Sequence, residues 1–377
     1  MKISSIIKII NEYGILWCFY RILYILKIKF LSINTNAWKF FERKTNIENL
    51  DIFDIDIKCL EKFLGNLEIK YKNKIINQAN NAINGKIYVF SKKTLDYGNP
   101  IKWNFNPITQ KETNNNKMWF KIPDFNNEIG DIKLIWEPSR FCHLYVFSRA
   151  YIISKDIKYY KAFSEQIKQW NINNKYPYGV NYKCGQESAI RMINVLMNYE
   201  VFKNYNLVNE EDRKNVKKIV EESYKKLLSN FFYAEKCVKN NHTISELTGL
   251  IIGAWCENNN KRIKKYYQKL VKQLEIQFKE DGGYIQYSFN YQRLVFQLLE
   301  ILFKIENKIN VKIKSKTKQL VYKSVMQLYQ LQSSNGKLPN YGSNDGALII
   351  PVTCADYRDF SSTIRYVICF FNRQKAL

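Results

Sequence analysis

Five clusters in this chain combine amide, carboxylate, aromatic and glycine residues at positions that apolar patterning does not explain. They are Trp136-Glu-Pro-Ser-Arg140, Gly179-Val-Asn-Tyr182 with Glu187 and Arg191, and Asn240-Asn-His-Thr-Ile-Ser-Glu246. The fourth runs from Asp281-Gly-Gly to Ser288-Phe-Asn-Tyr-Gln-Arg293. The fifth is Pro339-Asn-Tyr-Gly-Ser-Asn-Asp-Gly346, followed by Asp356-Tyr-Arg-Asp359. Loops dense in Tyr, Trp and Asn suit sugars, which are held by ring stacking and directed hydrogen bonds. Only two histidines occur, His143 and His242, and the eight cysteines are scattered without a CxxC pair. Neither a zinc site nor a disulfide framework is therefore expected, and no cofactor or metal is assigned within this chain.

The elements that must position these clusters are mostly helices. Ile263, Tyr267, Leu270, Val271, Leu274 and Phe278 form one apolar stripe at helical spacing. Ala189, Ile190, Ile193, Leu196 and Met197 repeat the pattern, as do Leu294, Val295, Leu298, Leu299 and Leu302. Further helices are expected near 141–153, 157–170, 210–232, 243–256, 315–332 and 362–373, joined by short connections that return the chain antiparallel. Residues 1–130 read as a separate extension: an opening helical stretch, then an Asn-rich, irregular region with short β-like runs such as Gly85-Lys-Ile-Tyr-Val-Phe90. Residues 131–377 read as one all-α domain, without the fixed repeat of a consensus solenoid.

The chain has 377 residues, and its 59 Lys and Arg against 34 Asp and Glu give a formal charge of +25. Asn, Ile and Lys dominate throughout, as an AT-rich genome would impose, so much of this charge is solvated helix surface. The functional reading is a polyanionic partner. Nucleic acid is not indicated, because no RRM, helix-turn-helix or zinc-finger signature is present. No apolar run reaches the roughly 20 residues needed to span a bilayer. The stretch from Ile3 to Ile33 is broken by Lys8, Glu12, Arg21, Lys27 and Lys29, which also argues against a signal peptide. An amphipathic helix packed on the protein or resting on a membrane surface fits better. The expected location is cytoplasmic or peripheral, with the periplasm left open.

Taken in order, Asp131 to Arg140, Gly179 to Arg191, Asn240-Asn-His242, Asp281 to Tyr291 and Pro339 to Gly346 together resemble the heparinase II/III-like family of polysaccharide lyases. The resemblance covers nearly the whole chain. It implies an incomplete (α/α) toroid of helical hairpins behind a mixed N-terminal extension. It also implies β-elimination on an acidic, uronate-containing glycan such as a glycosaminoglycan, alginate or a bacterial exopolysaccharide. By that resemblance Asn241 and His242 hold the substrate carboxylate, His242 also serving as base for one epimer, and Tyr291 is acid, base or both. Glu187, Arg191, Glu246, Arg293, Asn340, Tyr341 and Asn344 are the expected substrate-binding residues. Arg191 and Arg293 are candidates to lower the phenol pKa, and Glu246 to orient the imidazole. His143 is expected in the core, and Trp136, Glu137 and Arg140 in a buried structural network.

Two departures stand out: Tyr182 in place of the usual tryptophan, and Cys184-Gly185 in place of a small polar pair. The family's second domain, a β-sandwich that can carry a structural zinc, is not expected before Leu377. The expectation is a fragment, or a β-sandwich on a downstream chain. The alternative reading is a glycan-binding or exopolysaccharide-biosynthesis accessory protein without catalysis. A glycoside hydrolase on a similar toroid would need a carboxylate pair, for which Glu187 and Glu246 are the candidates.

Overall fold

A computed structural model describes residues 3–123 and 125–375. The chain opens with α1 (Ile3–Tyr13) and α2 (Ile15–Ile33), which Gly14 separates at φ 83°, a left-handed conformation that ends the first helix. A short α3 (Trp38–Phe41) follows, then α4 (Ile57–Gly65) and α5 (Ile69–Ile83). These last two correct the expectation of an irregular region. Asn and Lys fill the solvent face of α5, but Ile75, Ala79 and Ala82 are buried along the other. Three small antiparallel hairpins come next: β1 (Lys86–Val89) with β2 (Lys93–Asp96), β3 (Phe105–Asn106) with β4 (Lys111–Glu112), and β5 (Phe125–Asn126) with β6 (Gly130–Asp131). In the first, Lys86 pairs with Asp96 and Val89 with Lys93.

The remainder is helical: α6 (Lys133–Ser139), α7 (Leu144–Ser154), α8 (Lys158–Asn173), α9 (Gly185–Asn204), α10 (Glu210–Tyr233), α11 (Asn241–Cys256), α12 (Asn260–Gln277), α13 (Phe289–Ile305), α14 (Ser315–Gln330) and α15 (Ser361–Lys375). The hairpin partners are α7 with α8, α9 with α10, α11 with α12, and α14 with α15. A second set of contacts links α7 to α9, α9 to α11, α11 to α13 and α13 to α15. The odd-numbered helices thus form the inner ring of an incomplete (α/α) toroid, and α8, α10, α12 and α14 lie outside. Burial agrees, since α9, α11 and α13 are covered around most of their circumference.

One hydrophobic core runs from Leu31, Trp38 and Ile47 through Ile75 and Trp103 to Leu298 and Phe371. Residues before 131 contribute to it directly, and α5 packs on α7. Because successive inner helices run the same way, their N-termini gather at one end of the ring. Caps fix those ends. The Asn240 side chain accepts the His242 amide at 2.9 Å to start α11, and Ser288 Oγ accepts the Tyr291 amide at 3.2 Å to start α13. The cap of α11 is thus Asn240, one residue before Asn241.

Candidate active site

The floor of the site is a buried ion network. Arg140, at the end of α6, donates through Nε to Glu187 Oε2 at 2.6 Å and through Nη2 to Oε1 at 2.8 Å. Its Nη1 reaches Glu137, whose other oxygen accepts the Phe90 amide at 3.1 Å. Burial opposes the charge on Arg140, but Glu187 and Glu137 more than offset it and hold its pKa well up. Burial raises the Glu137 carboxyl, and Arg140 counters it. Trp136 donates its indole N–H to the Val180 carbonyl at 2.9 Å, tying α6 to the segment before α9. These three residues are buried and tied together as expected of them.

His242 stands at the second position of α11, half-buried, with Cys184 Sγ 3.7 Å from Nδ1. Burial lowers its pKa, while Glu246 and Glu187 pull the other way and Arg140 and Lys133 add to the lowering. The imidazole is therefore neutral at neutral pH. Burial pushes the Cys184 thiol up to about 11. Cys184, rather than Glu246, is the group against the ring nitrogen. Glu246 lies one turn deeper and is 2% exposed, and desolvation raises its carboxyl to about 8. A β-carbon on Gly185 would overlap that carboxyl, so this close approach requires glycine. Behind it Lys226 is wholly buried, its ammonium 3.1 Å from the Trp119 ring centroid, and burial drives its pKa well down. Asn241 is buried, and its backbone N–H donates to Gln286 Oε1 at 3.0 Å.

Tyr291 comes from the start of α13. Its hydroxyl donates to Asp345 Oδ2 at 3.3 Å, and burial together with Asp345 pushes the phenol up to about 12, with Arg140 opposing. Lys133 links the two halves of the site, since it lowers the His242 pKa and sits 3.7 Å from Asp345 Oδ2. Asn290 holds the other Asp345 oxygen at 3.0 Å, and Tyr357 bonds both Asn290 and, at 2.7 Å, Asn344. Asn344 in turn donates to Asn340 at 2.7 Å. Tyr341 is half-exposed and packs its ring 5.0 Å from Phe289. Asn340, Tyr341 and Asn344 therefore rim the Tyr291 side.

Arg191 and Arg293 lie elsewhere. Arg191 is fully buried, donates to the Ser139 and Asn181 carbonyls at 2.9 and 2.8 Å, and stacks on Trp170 and Tyr182. Arg293 is held between the Tyr357 and Phe360 rings and bonds the Tyr357 carbonyl. Neither acts on the Tyr291 phenol, whose neighbouring cation is Arg140. His143 is a core residue, as expected, with Nε2 2.8 Å from Gln166 Oε1.

A cleft of about 430 Å³ opens beside His242. Trp136, Cys184, Gly185, His242 and Glu246 form its toroid wall, and Trp119 and Phe120 its end. The opposite wall is α2, through Arg21, Tyr24, Ile25, Ile28 and Lys29. Tyr24 stacks on Tyr233 with centroids 4.3 Å apart, and Lys27 reaches the Ser229 carbonyl at 3.1 Å. Lys183 also lines the cleft, its ammonium bonding the Ile122 carbonyl. Arg21, Lys29 and Lys183 meet one carboxyl, Glu246, which is largely neutral at pH 7, so the cleft favours anions. Sequence reading missed α2 as part of the site, because no local motif marks a helix that closes a cleft some two hundred residues away. Among the described residues no group of three His, Cys, Asp or Glu could hold a metal ion, and no helix is long and apolar enough to cross a membrane.

The family model for the heparinase II/III N-terminus matches residues 32–361. Comparison with curated proteins returns no match. Among solved structures, one of heparinase III is 16% identical with TM-score 0.50, covering 82% of this chain and 46% of that one. A second heparinase III structure is 15% identical with TM-score 0.52, covering 83% and 47%. An alginate lyase from Bacteroides ovatus is 12% identical with TM-score 0.51, covering 87% and 93%. The chain thus spans less than half the length of the heparinase III structures and nearly all of that alginate lyase. At these identities the likeness is one of fold.

Proposed function

Because the chain belongs to the heparinase II/III N-terminal family, we propose that it is a polysaccharide lyase-type domain that cleaves an acidic, uronate-containing glycan by β-elimination. What supports this reading is that His242 and Tyr291, near the starts of two inner helices, both feel the charge of Arg140. The weakly acidic C5 proton can leave only if the adjacent carboxylate is held and the developing charge met by hydrogen bonds. Asn241, beside His242 at the start of α11, holds the carboxylate. In the tautomer that donates Nδ1–H to the Cys184 sulfur, Nε2 of neutral His242 takes the C5 proton. The electron pair forms the C4–C5 double bond, the C4–O4 bond breaks, and the Tyr291 phenol protonates O4. A phenol near pKa 12 that donates to Asp345 is protonated at neutral pH, which suits the acid and not the base. Arg21, Lys29 and Lys183 attract the flanking acidic sugars.

The hydrolase alternative has little support, since both Glu187 oxygens are engaged by Arg140 and Glu246 lies buried behind Gly185. The test is incubation with heparan sulfate, chondroitin and alginate, following ultraviolet absorbance of unsaturated products. Turnover should vanish in Tyr291→Phe with the helical circular dichroism unchanged. Salt-sensitive glycan binding without product would support the accessory, non-catalytic reading. Turnover retained in Tyr291→Phe would remove that residue from the mechanism.

A further inference from the structure

The outer face of α2 is an exposed apolar surface that the site does not explain. Its inner half is fastened to the toroid: Leu31 is buried, Trp17 Nε1 donates to the Cys237 carbonyl at 2.8 Å, and Tyr24 stacks on Tyr233. Its outer half faces solvent and is mostly apolar, interrupted near its C-terminal end by Lys29. Ile15, Leu16, Phe19, Ile22, Leu26 and Ile33 are 71, 67, 53, 56, 57 and 88% exposed. They fall at i, i+1, i+4, i+7, i+11 and i+18, a single stripe about 27 Å long at 1.5 Å per residue. Phe40, in the short α3 that follows, is 85% exposed. Scattered exposed apolar residues are ordinary in a soluble protein, but a contiguous stripe of this size marks an interaction surface.

Charge selects the occupant. Residues 1–44 contain eight cations (Lys2, Lys8, Arg21, Lys27, Lys29, Lys39, Arg43 and Lys44) and two acids, Glu12 and Glu42. Lys8, Lys39, Arg43 and Lys44, none of which lines the cleft, are exposed. Two copies meeting through this face would bring like charges together. An anionic lipid surface accepts the apolar stripe and attracts the cations at the same time. The fastened inner half keeps the helix flat against the body, the orientation of an interfacial helix and not of a membrane span. We infer that the outer face of α2 docks the protein on an anionic lipid surface, with the helix in the plane of the interface. This inference is independent of the lyase reading.

The test is sedimentation of the full chain with phosphatidylcholine vesicles, and with vesicles of phosphatidylcholine and phosphatidylglycerol mixed three to one. The chain should pellet with the mixed vesicles only. Leu16→Glu/Phe19→Glu/Leu26→Glu should weaken partitioning by more than about tenfold, since three apolar side chains lose their burial. Its thermal melt should be unchanged. A second variant, Lys39→Glu/Arg43→Glu/Lys44→Glu, leaves the stripe intact and should weaken binding most at low salt; it carries the test if the first melts early. No pelleting with either vesicle, or pelleting unaffected by both variants, overturns the inference. So does a concentration-dependent dimer that the stripe variant abolishes, which would make a second copy the occupant.

Discussion

Arg140 and Glu187 meet side-on through two parallel hydrogen bonds of 2.6 and 2.8 Å, with both side chains nine-tenths or more buried. The charge of Arg140 reaches both His242 and Tyr291. The Arg140–Glu187 pair joins α6 to the N-terminal turn of α9. Removing one partner strands a charge in a low-dielectric interior. Arg140→Met should therefore cost about 3–5 kcal/mol of stability. Adding Glu187→Gln to that variant should recover part of the loss, because the stranded carboxylate is then neutral. Urea unfolding of the two variants checks both signs.

Two buried groups should give the stability opposite dependences on pH. Burial lowers His143 from its ordinary 6.5 to about 4. The unfolded chain therefore takes up the proton first. The stability this histidine contributes is complete above pH 6.5 and is lost as pH falls toward 4, to a total of roughly 3 kcal/mol. Glu246 runs the other way, because burial raises its carboxyl from 4.5 to about 8. The stability its neutral form contributes is complete below pH 4.5 and is lost as pH rises from 4.5 to about 8. His143→Phe should flatten the rise in stability between pH 4 and 6.5, and Glu246→Gln the fall between pH 4.5 and 8, as read from urea midpoints across the range.

The contact between Gly185 and Glu246 can be tested by a mutant cycle. Gly185→Ala puts a methyl group into space the carboxyl occupies and should cost about 1–3 kcal/mol. In a Glu246→Ala background the same substitution should cost much less. Equal penalties in the two backgrounds would mean that the glycine is required for another reason.

The α2 wall should act on binding and not on chemistry. If one of the tested glycans is turned over, Arg21→Ala with Lys29→Ala should raise KM about 5- to 10-fold and leave kcat nearly unchanged, the pattern for loss of uniform binding. The difference should shrink as salt screens the cleft. Steady-state kinetics at low and high ionic strength separate this outcome from general destabilisation.

The inner and outer helices were legible in the sequence because their apolar stripes are dense: Leu270, Val271 and Leu274 on α12 are all buried. Helix α5 was not, because its stripe is short and carried by alanines amid Asn and Lys. The convergence of Glu187, His242 and Tyr291 follows from their places near helix starts, which caps and glycines announce. Depth was harder to read. Arg191 and Arg293 have the residue type of anion binders, yet each is clamped between aromatic rings, and nothing along the chain distinguishes a stacked guanidinium from a free one. The role of Cys184 depends on a contact across 58 positions, which spacing cannot report.

The continuous core has an evolutionary consequence. Leu31, Trp38 and Ile75 share one apolar body with the ring helices, so the N-terminal segment cannot be exchanged among relatives as a cassette without leaving holes on both sides of the cut. Changes on the cleft side of α2 are then confined to replacements that keep its inner contacts with the ring.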